Sequence, residues 1–360
     1  MRPYDRLALS SEQTQPRPHG ALSVLVVTYN SAAEVGRSLP AIATELREED
    51  ELIVCDNGSS DGTLERVSEL APEATVLELG ANLGFGAACN LGAERASGEL
   101  LLLLNPDAVV EAGFRDAIEL PLLEARGWAA WQGLVCDDEG RVNSWGGVVH
   151  YTGIAWAGGA GRPRAEAPHE PCEISFPSGA CLAVRRDAWT GLGGFSPELF
   201  LYHEDTDLGL RLWLGGGRVG LEPRARCAHA YEFEKGSHKW YYLERNRYAT
   251  IARTYPSRVL FAVLPALLVT ELAVLVAAAL GGWLGPKLRA DRDFLRALPR
   301  LGRERAAIRG SALHSGVDAA RFADLLAVEL GSPYLGAPSR SRLVRALLGA
   351  YWRIARLLIG

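Results

Sequence analysis

The chain has 360 residues, 48% of them apolar and 22% charged, with a formal net charge of −5. That length and apolar content are enough to bury a sizeable core, which excludes a largely disordered protein and suggests about two domains. Residues 286 to 360 carry 14 Lys and Arg against 6 Asp and Glu; an acidic body with a basic tail lacks the basic stripe of a nucleic-acid binder and suits an anionic membrane surface.

Residues 1 to 20 are polar and contain proline, with no apolar core, so they read as a flexible tail rather than a secretory signal. The six cysteines show no metal-binding spacing and read as reduced thiols in the cytoplasm. Apolar runs then alternate with helical patterns. LSVLVVTY (22 to 29) precedes a helix to about Leu46, ELIVC (51 to 55) a helix to about Leu70, and ATVLEL (74 to 79) a helix from Ala87 to Ala96. The leucine run at 100 to 104 closes the series. This order predicts an α/β fold, an open, mostly parallel sheet flanked by helices.

Ligands of such sheets sit beyond the carboxyl ends of the strands. There the sequence places Thr28-Tyr29-Asn30, Asp56-Asn57-Gly58-Ser59 and Asn105-Pro106-Asp107. Taken singly, these are ordinary helix caps and turns; three polar strand ends converging on one crevice favour a ligand site. Gly84 and Gly86 open a helix and allow close backbone approach, although Cys89 breaks a dinucleotide fingerprint and no P-loop lysine follows.

Further along, residues 146 to 171 are too rich in Gly, Ala and Pro to predict a regular element and read as a lid, an acceptor-binding segment or an insertion. HEDTDLGLRL (203 to 212) reads as a helix with Glu204, Asp205 and Asp207 in its first turn. Acids there complement the helix dipole, and Asp207 stands four residues before Arg211, so a structural reading is preferred for Glu204 and Asp207. His203 reads as a surface or packing residue. Residues 259 to 285 hold only Glu271 and Pro265 against a continuous apolar background and have basic flanks at both ends. A kinked helix or hairpin in the membrane interface is preferred, with a true span second and a buried core helix as the alternative. In residues 341 to 360, Arg342, Arg345, Arg353 and Arg356 share one narrow helix face. Leu343, Leu347, Tyr351, Ile354 and Leu358 lie roughly opposite, with Trp352 at the boundary, where it would sit at headgroup level. This predicts a membrane-surface helix, the alternative being one packed on the domain.

In this order, TYN, CDNGSSDGT (55 to 63), NLGFGAACNLGAERASGE (82 to 99), LLLNPD, PSGACLAVRRDAW (177 to 189), GGFSPELFLYHEDTDLGLRLW (193 to 213) and ERNRY (244 to 248) resemble a family 2 glycosyltransferase of the GT-A fold. The resemblance is to its bacterial rhamnosyltransferase-like branch, with NPD in place of DxD, over about residues 20 to 250. It implies a GT-A domain at 21 to 250 and a helical, basic, membrane-associating region at 251 to 360. It implies a donor pocket formed by Thr28, Tyr29, Asn30, Asp56, Asn57, Asn82, Gly84, Phe85, Asn90 and Asn105, with Asn57 where many relatives carry a second aspartate. Asp107 and His229 would hold Mg²⁺ or Mn²⁺, and Asp205, paired with Glu204, would be the general base. Lys239, Arg245 and Arg247 would meet phosphates or acceptor, or form a solvated basic face. The implied reaction is inverting transfer from a nucleotide-diphosphate sugar, dTDP-rhamnose first, to a lipid-linked or polysaccharide acceptor. The implied place is the cytoplasmic face of the inner membrane, peripheral or monotopic; the sequence leaves a homo-oligomer open. The alternative is a non-catalytic sugar-nucleotide or polysaccharide-binding subunit, against which the presence of both Asp107 and Asp205 counts. A processive synthase is disfavoured because QxxRW is missing.

Overall fold

The structure is a computed structural model that describes residues 20–229, 238–310, 318–332 and 341–360. The expected N-terminal tail, save Gly20, lies outside the described residues. The chain opens with β1 (Leu22–Thr28), α1 (Val35–Glu45), β2 (Glu51–Asp56), α2 (Thr63–Leu70), β3 (Thr75–Glu78), α3 (Phe85–Arg95) and β4 (Leu100–Leu104), the alternation read from the sequence. Next come β5 (Ala108–Val110), α4 (Phe114–Leu123), β6 (Trp128–Cys136), β7 (Val142–Ser144), β8 (Gly147–His150), β9 (Ala155–Ala157), β10 (Cys172–Glu173) and β11 (Cys181–Arg185). They are followed by α5 (Arg186–Leu192), α6 (Glu204–Leu214) and β12 (Arg218–His229). The remainder is α7 (His238–Thr254), α8 (Ser257–Leu280), α9 (Leu284–Gly310), α10 (Ala319–Asp324), β13 (Leu326–Ala327) and α11 (Arg342–Ile359).

One large sheet has the order β10-β12-β6-β11-β4-β1-β2-β3, with β5 added to β12 and β7 to β6. Strands β3, β2, β1 and β4 are parallel, whereas β11 runs antiparallel to both β4 and β6. The sheet is therefore parallel through its N-terminal half and mixed beyond it. β4 lies near the middle, and its five leucines are all buried. Leu100, Leu102 and Leu104 pack on one side with Val24, Val26 and Trp131, and Leu101 and Leu103 on the other with Leu25 and Cys89. A strand covered on both faces has no polar side to keep, which is why it reads as an unbroken apolar run. Each leucine contributes roughly 1.5–3 kcal/mol of burial. All six cysteines are unpaired.

Two sequence expectations are corrected here. The Gly-rich segment at 146 to 171 is regular in its first part, where β8 pairs with β9, and β13, far along the chain, adds to β8 at Val149 and His150. Tertiary pairing overrides the weak local propensity. Trp352 is no headgroup anchor. It is buried and stacked on Tyr151, with ring centroids 4.7 Å apart. It belongs to a core that also holds Ile251, Tyr255, Val259 and Phe322, so α7, α8, α10 and α11 share packing with the β8 region. α7 runs through residue 250 without a break, and α8 is a single helix that includes Pro265.

Candidate active site

The parallel register aligns Thr28 with Asp56 and Val26 with Leu104, so β1, β2 and β4 end at one edge. Asp56 is buried there: Oδ1 accepts from Thr28 Oγ1 at 2.8 Å and Ser59 Oγ at 2.5 Å, and Oδ2 from the amides of Gly58 at 3.0 Å and Ser59 at 2.8 Å. Thr28 is also buried, so this pair shapes the loop after β2 from below. The Asn30 amide donates to Ser59 Oγ at 2.9 Å, and Ser60 donates to Asn30 Oδ1 at 2.9 Å. The helix-cap alternative holds in part: Asp61 Oδ1 accepts from the amide of Thr63, the first residue of α2, at 3.1 Å, whereas Glu34 before α1 makes no side-chain cap. Tyr29 and Asn30 are exposed at the mouth, Asn30 with φ of 50°.

Asn57 is buried and links this loop to the next. Its amide donates to Thr28 O at 2.8 Å, its Oδ1 accepts from Leu83 at 3.2 Å, and its Nδ2 lies 3.5 Å from Gly84 O. Asn82 Oδ1 accepts from Gly84 at 2.9 Å. Gly84 has φ of 87°, and a Cβ there would stand 2.5 Å from Phe200 O; Phe85 donates to that same oxygen at 3.2 Å. Only glycine fits such a conformation and approach. Asn90 is turned to a different task, because both ends of its amide are held by the Phe195 backbone at 2.9 Å.

On the other side of the edge, β12 pairs antiparallel with β5, setting His229 against Ala108. This brings His229 Nε2 to 3.1 Å from Asp107 Oδ1 and 3.1 Å from Asn105 Nδ2. Asn143 lies behind the ring, 3.4 Å from Nδ1, and donates to His229 O at 3.2 Å. Ser38 Oγ donates to Pro106 O, fixing the turn that presents Asp107. Two neighbouring ligands at about 2.1 Å from an octahedral ion stand about 3 Å apart, so the Asp107–His229 spacing fits joint coordination. Among the described residues no group of three or more His, Cys, Asp or Glu surrounds such a point. The pair suits an ion that takes its remaining oxygens from a substrate.

The acidic turn lies at the start of α6. Asp205 Oδ2 accepts from the Gly179 amide at 3.2 Å, and Oδ1 from the Thr206 amide at 2.6 Å. Burial pushes its carboxyl above the usual range against the pull of these donors. Glu204 is buried, its Oε2 has no hydrogen-bond partner, and burial together with the neighbouring Asp205 charge pushes it well above the ordinary range. Both carboxyls are pushed upward by burial, while only Asp205 has two backbone amides to stabilise its charge. Asp207 forms the expected pair with Arg211, at 2.7 Å and buried. His203 is buried rather than on the surface, and burial holds its ring near pKa 4, hence neutral. The backbone of 178 to 180 connects the two halves: Ala180 O accepts from Asn105 at 3.1 Å, while Gly179 serves Asp205.

The basic residues of α7 do not form a solvated face. Arg247 is buried, held by Glu244 at 2.8 Å, Glu271 at 3.1 Å and Thr152 O at 3.2 Å, so its expected phosphate contact is replaced by an internal ion network. Arg245 donates to Glu198 O at 2.6 Å between the rings of Tyr241 and Tyr242, and Lys239 is buried beside Trp240. The residue sequence reasoning passed over is Asn246, between these two arginines. It is buried, and its Nδ2 donates at 2.8 Å to both Leu201 O and Tyr202 O. Tyr202 and His203, at φ of 66° and 68°, form the strained lead-in to α6. The signal was an uncharged amide inside ERNRY, overshadowed by its charged neighbours.

A half-parallel sheet whose edge gathers the loops after β1 and β2, an Asp–His pair and the partly buried carboxylate of Asp205 has the GT-A architecture. Residues 23–189 match the model of glycosyl transferase family 2. The N-acetylglucosaminyl-diphospho-decaprenol L-rhamnosyltransferase of Mycobacterium tuberculosis is 30% identical over 236 residues, covering 58% of this chain and 75% of that protein. The O-antigen biosynthesis protein RfbC of Myxococcus xanthus is 31% identical over 193 residues, 49% of this chain and 14% of that one. The chain belongs to glycosyltransferase family 2. Among solved structures, S. aureus TarS residues 1–349 in complex with UDP shares the fold, with a TM-score of 0.51, 18% identity, and 94% of this chain and 90% of that one covered. GalNAc-T7 with UDP, GalNAc and Mn²⁺ has a TM-score of 0.51 at 17% identity, covering 65% of this chain and half of that one.

Proposed function

We propose that this glycosyltransferase moves a sugar with inversion, L-rhamnose from dTDP-rhamnose being the best reading, onto a lipid-linked acceptor at the cytoplasmic face of the inner membrane. The observation that carries the reading is the link between Asp205 and the Asp107–His229 pair through Ala180 and Gly179. Sugar and acceptor class rest on the mycobacterial relative, whose name specifies rhamnose transfer to a decaprenyl-diphosphate-linked sugar.

Tyr29, Asn30 and the loop at 57 to 59 receive the nucleoside, and the Asn57–Gly84 seam lies beneath the sugar. Asp107 and His229 would hold Mg²⁺ or Mn²⁺, which when bound neutralises the departing diphosphate. A nitrogen ligand favours Mn²⁺ over the harder Mg²⁺. Asn105, where a DxD motif has its first aspartate, leaves this centre one charge weaker, so the ion arrives with the donor. Asp205 accepts the proton of the acceptor hydroxyl as its oxygen bonds to the anomeric carbon and the bond to the diphosphate breaks. Glu204, when protonated, spares Asp205 a second adjacent charge.

The test is a panel of nucleotide sugars with Mn²⁺ or Mg²⁺, read by thermal stabilisation and by transfer to a polyprenyl-diphosphate-linked sugar. Stabilisation by dTDP-rhamnose above the others is expected. A preference for another donor overturns the sugar, and binding without transfer to any acceptor overturns the enzyme.

A further inference from the structure

α8 is the one helix among the described residues long and apolar enough to cross a bilayer by length and composition. Its surroundings indicate a different placement. Val259, Ala262 and Val263 are buried against the domain. Phe261, Leu264, Leu268, Leu272, Val276 and Leu280 lie on the opposite side and are 48% to 86% exposed. They recur every three or four residues, so they form one stripe along a helix about 36 Å long. α11 runs alongside in the opposite direction: Tyr351 Oη donates to Ala262 O at 2.6 Å, and Gly360 approaches Arg258. It packs inward through Trp352, Ala355 and Ile359 and leaves Leu343, Leu347, Ile354 and Leu358 59% to 69% exposed. The contact joins Ala262, between the exposed Phe261 and Leu264, to Tyr351, three residues before the exposed Ile354, so exposed residues of both helices adjoin it.

Polar groups define the edges of this surface. The exposed Arg342 and Arg353 border the α11 stripe, and α11 contains no acid. The single acid of α8, Glu271, is on the helix's inner flank and is held by Lys287, Tyr248 and Arg247. Lys287 has no exposed surface; it also reaches Asp291 at 2.6 Å and Glu244 at 3.3 Å. Turning α8 across a bilayer would strip Lys287 of Glu271 and carry that carboxylate into hydrocarbon, and breaking a buried pair is strongly unfavourable.

We propose that the outward faces of α8 and α11 form one lipid-binding surface that lies flat in an anionic membrane interface, with α8 pinned to the domain by Glu271 and not spanning the bilayer. Arg345 and Arg356 are paired with Glu329 and Asp324, but a broad apolar stripe bordered by the exposed Arg342 and Arg353 matches an anionic bilayer, whose headgroups meet these guanidinium groups while its acyl boundary receives the side chains. A second copy of this chain would bring like-charged arginine borders together. The surface deepens the membrane attachment proposed above and is independent of the chemistry assigned to Asp205.

The test places one spin label at a time on the full chain, at Phe261→Cys, Leu268→Cys, Val276→Cys and Leu280→Cys. Depth is read on vesicles of phosphatidylcholine with about a third phosphatidylglycerol. Equal, shallow depths at all four positions are expected. A gradient through the bilayer centre overturns the flat placement, and labels that stay in water overturn the lipid surface. Leu268→Glu with Leu272→Glu should lower vesicle binding at least tenfold while dTDP-rhamnose still raises the melting temperature. Unchanged vesicle binding in that variant overturns the proposal. Loss of the donor response with shallow labels leaves this surface standing and overturns the donor assignment instead.

Discussion

Replacing Asn246 by leucine keeps the volume of its side chain and deletes three hydrogen bonds, one accepted from Arg245 Nε at 2.9 Å and two donated to carbonyls. The Leu201 and Tyr202 carbonyls, each now 2.8 Å from Nδ2, lose that donor. A typical hydrogen bond contributes about 1 kcal/mol, and a carbonyl left buried without a partner costs about 1–3 kcal/mol, so the two bonds to carbonyls are worth about 2–6 kcal/mol together. Holding Tyr202 and His203 at positive φ costs about 1–3 kcal/mol each, a comparable sum. With the bonds gone the strain is unopposed, and the segment relaxes toward ordinary backbone angles. Asp205 begins two residues later, and a displacement near 1 Å costs on the order of 100-fold in rate. Asn246→Leu should therefore lower kcat about 100-fold. The donor dissociation constant should change less than about threefold, because the Asn57–Gly84 crevice is on the other side of the sheet edge. Asn246→Asp, isosteric but unable to donate, should behave alike. The assays are steady-state transfer with separate kcat and KM, donor titration, and urea unfolding. A variant that loses several kcal/mol of stability yet keeps kcat within about twofold would show that Asn246 supports the fold and does not place the base.

Asp205→Asn should fold and bind donor normally while losing roughly 10²–10⁴-fold in transfer, and near-normal turnover would remove Asp205 from its role. Asp107→Ala or His229→Ala should abolish the gain in donor affinity that Mn²⁺ gives the wild type; an unchanged ion response in nucleotide titrations would count against the pair. Glu204 keeps its proton in the folded state at pH values where the unfolded chain releases it. Stability should fall as pH rises from the ordinary glutamate range, about 4.3, through the raised folded value. Glu204→Gln should flatten that slope in urea midpoints measured from pH 4 upward, and an unaltered slope would assign it to another group. Trp352→Ala should cost about 3–5 kcal/mol because it empties the stack on Tyr151; a neutral result would place Trp352 outside the core. Ending the chain near residue 339 would remove that packing too, so charged substitutions on the exposed stripes test lipid binding more cleanly.

The first half of the fold was legible because its signals are local. β1, β2 and β4 are buried on both faces, β3 is a half-exposed edge strand, and each intervening helix is short, so apolar runs and breaks map directly onto β1 to β4. The strand-end rule then located Tyr29, Asn30 and Asp107 without knowledge of their neighbours. Other features depended on pairing between distant segments. β13 joins β8 across more than 170 residues, and nothing in a Gly-rich stretch announces a partner so far away. Trp352 was placed by helical angle alone, and an angle does not reveal that Tyr151 waits on that side. Charge misled in the same manner at Arg247, where a basic residue in a recognised motif is used to pin α7 to Glu244 and Glu271. Asn246 shows the reverse, a neutral side chain whose importance appears only when its two carbonyl partners are seen.

On the proposed assignment, the division of the sheet also separates two tasks. Donor-side groups stand on β1, β2 and the loop before α3, where parallel pairing fixes their heights to one another. The groups for the leaving diphosphate and the acceptor come from β4, β5, β12 and α6, which the mixed half brings back to the same edge. Asn105 to Ala180 and Gly179 to Asp205 tie the second half together, while the bonds that join the two halves include Ser38 to Pro106 O, Asn90 to the Phe195 backbone and Phe85 to Phe200 O. Gly84 lets the last of these form, since any side chain there would collide with the Phe200 carbonyl. The same stretch of backbone, residues 200 to 203, is braced from behind by Asn246 and leads directly into Asp205. A disturbance at Gly84 therefore meets the donor crevice first and one at Asn246 meets the lead-in to Asp205 first, with the Phe200 carbonyl linking the two. Because the nucleotide loops are stitched to one another by Asp56, Asn30 and Ser59, their fit to the donor is set before the acceptor arrives. The position of Asp205, the proposed base, is set separately, by the strained turn into α6.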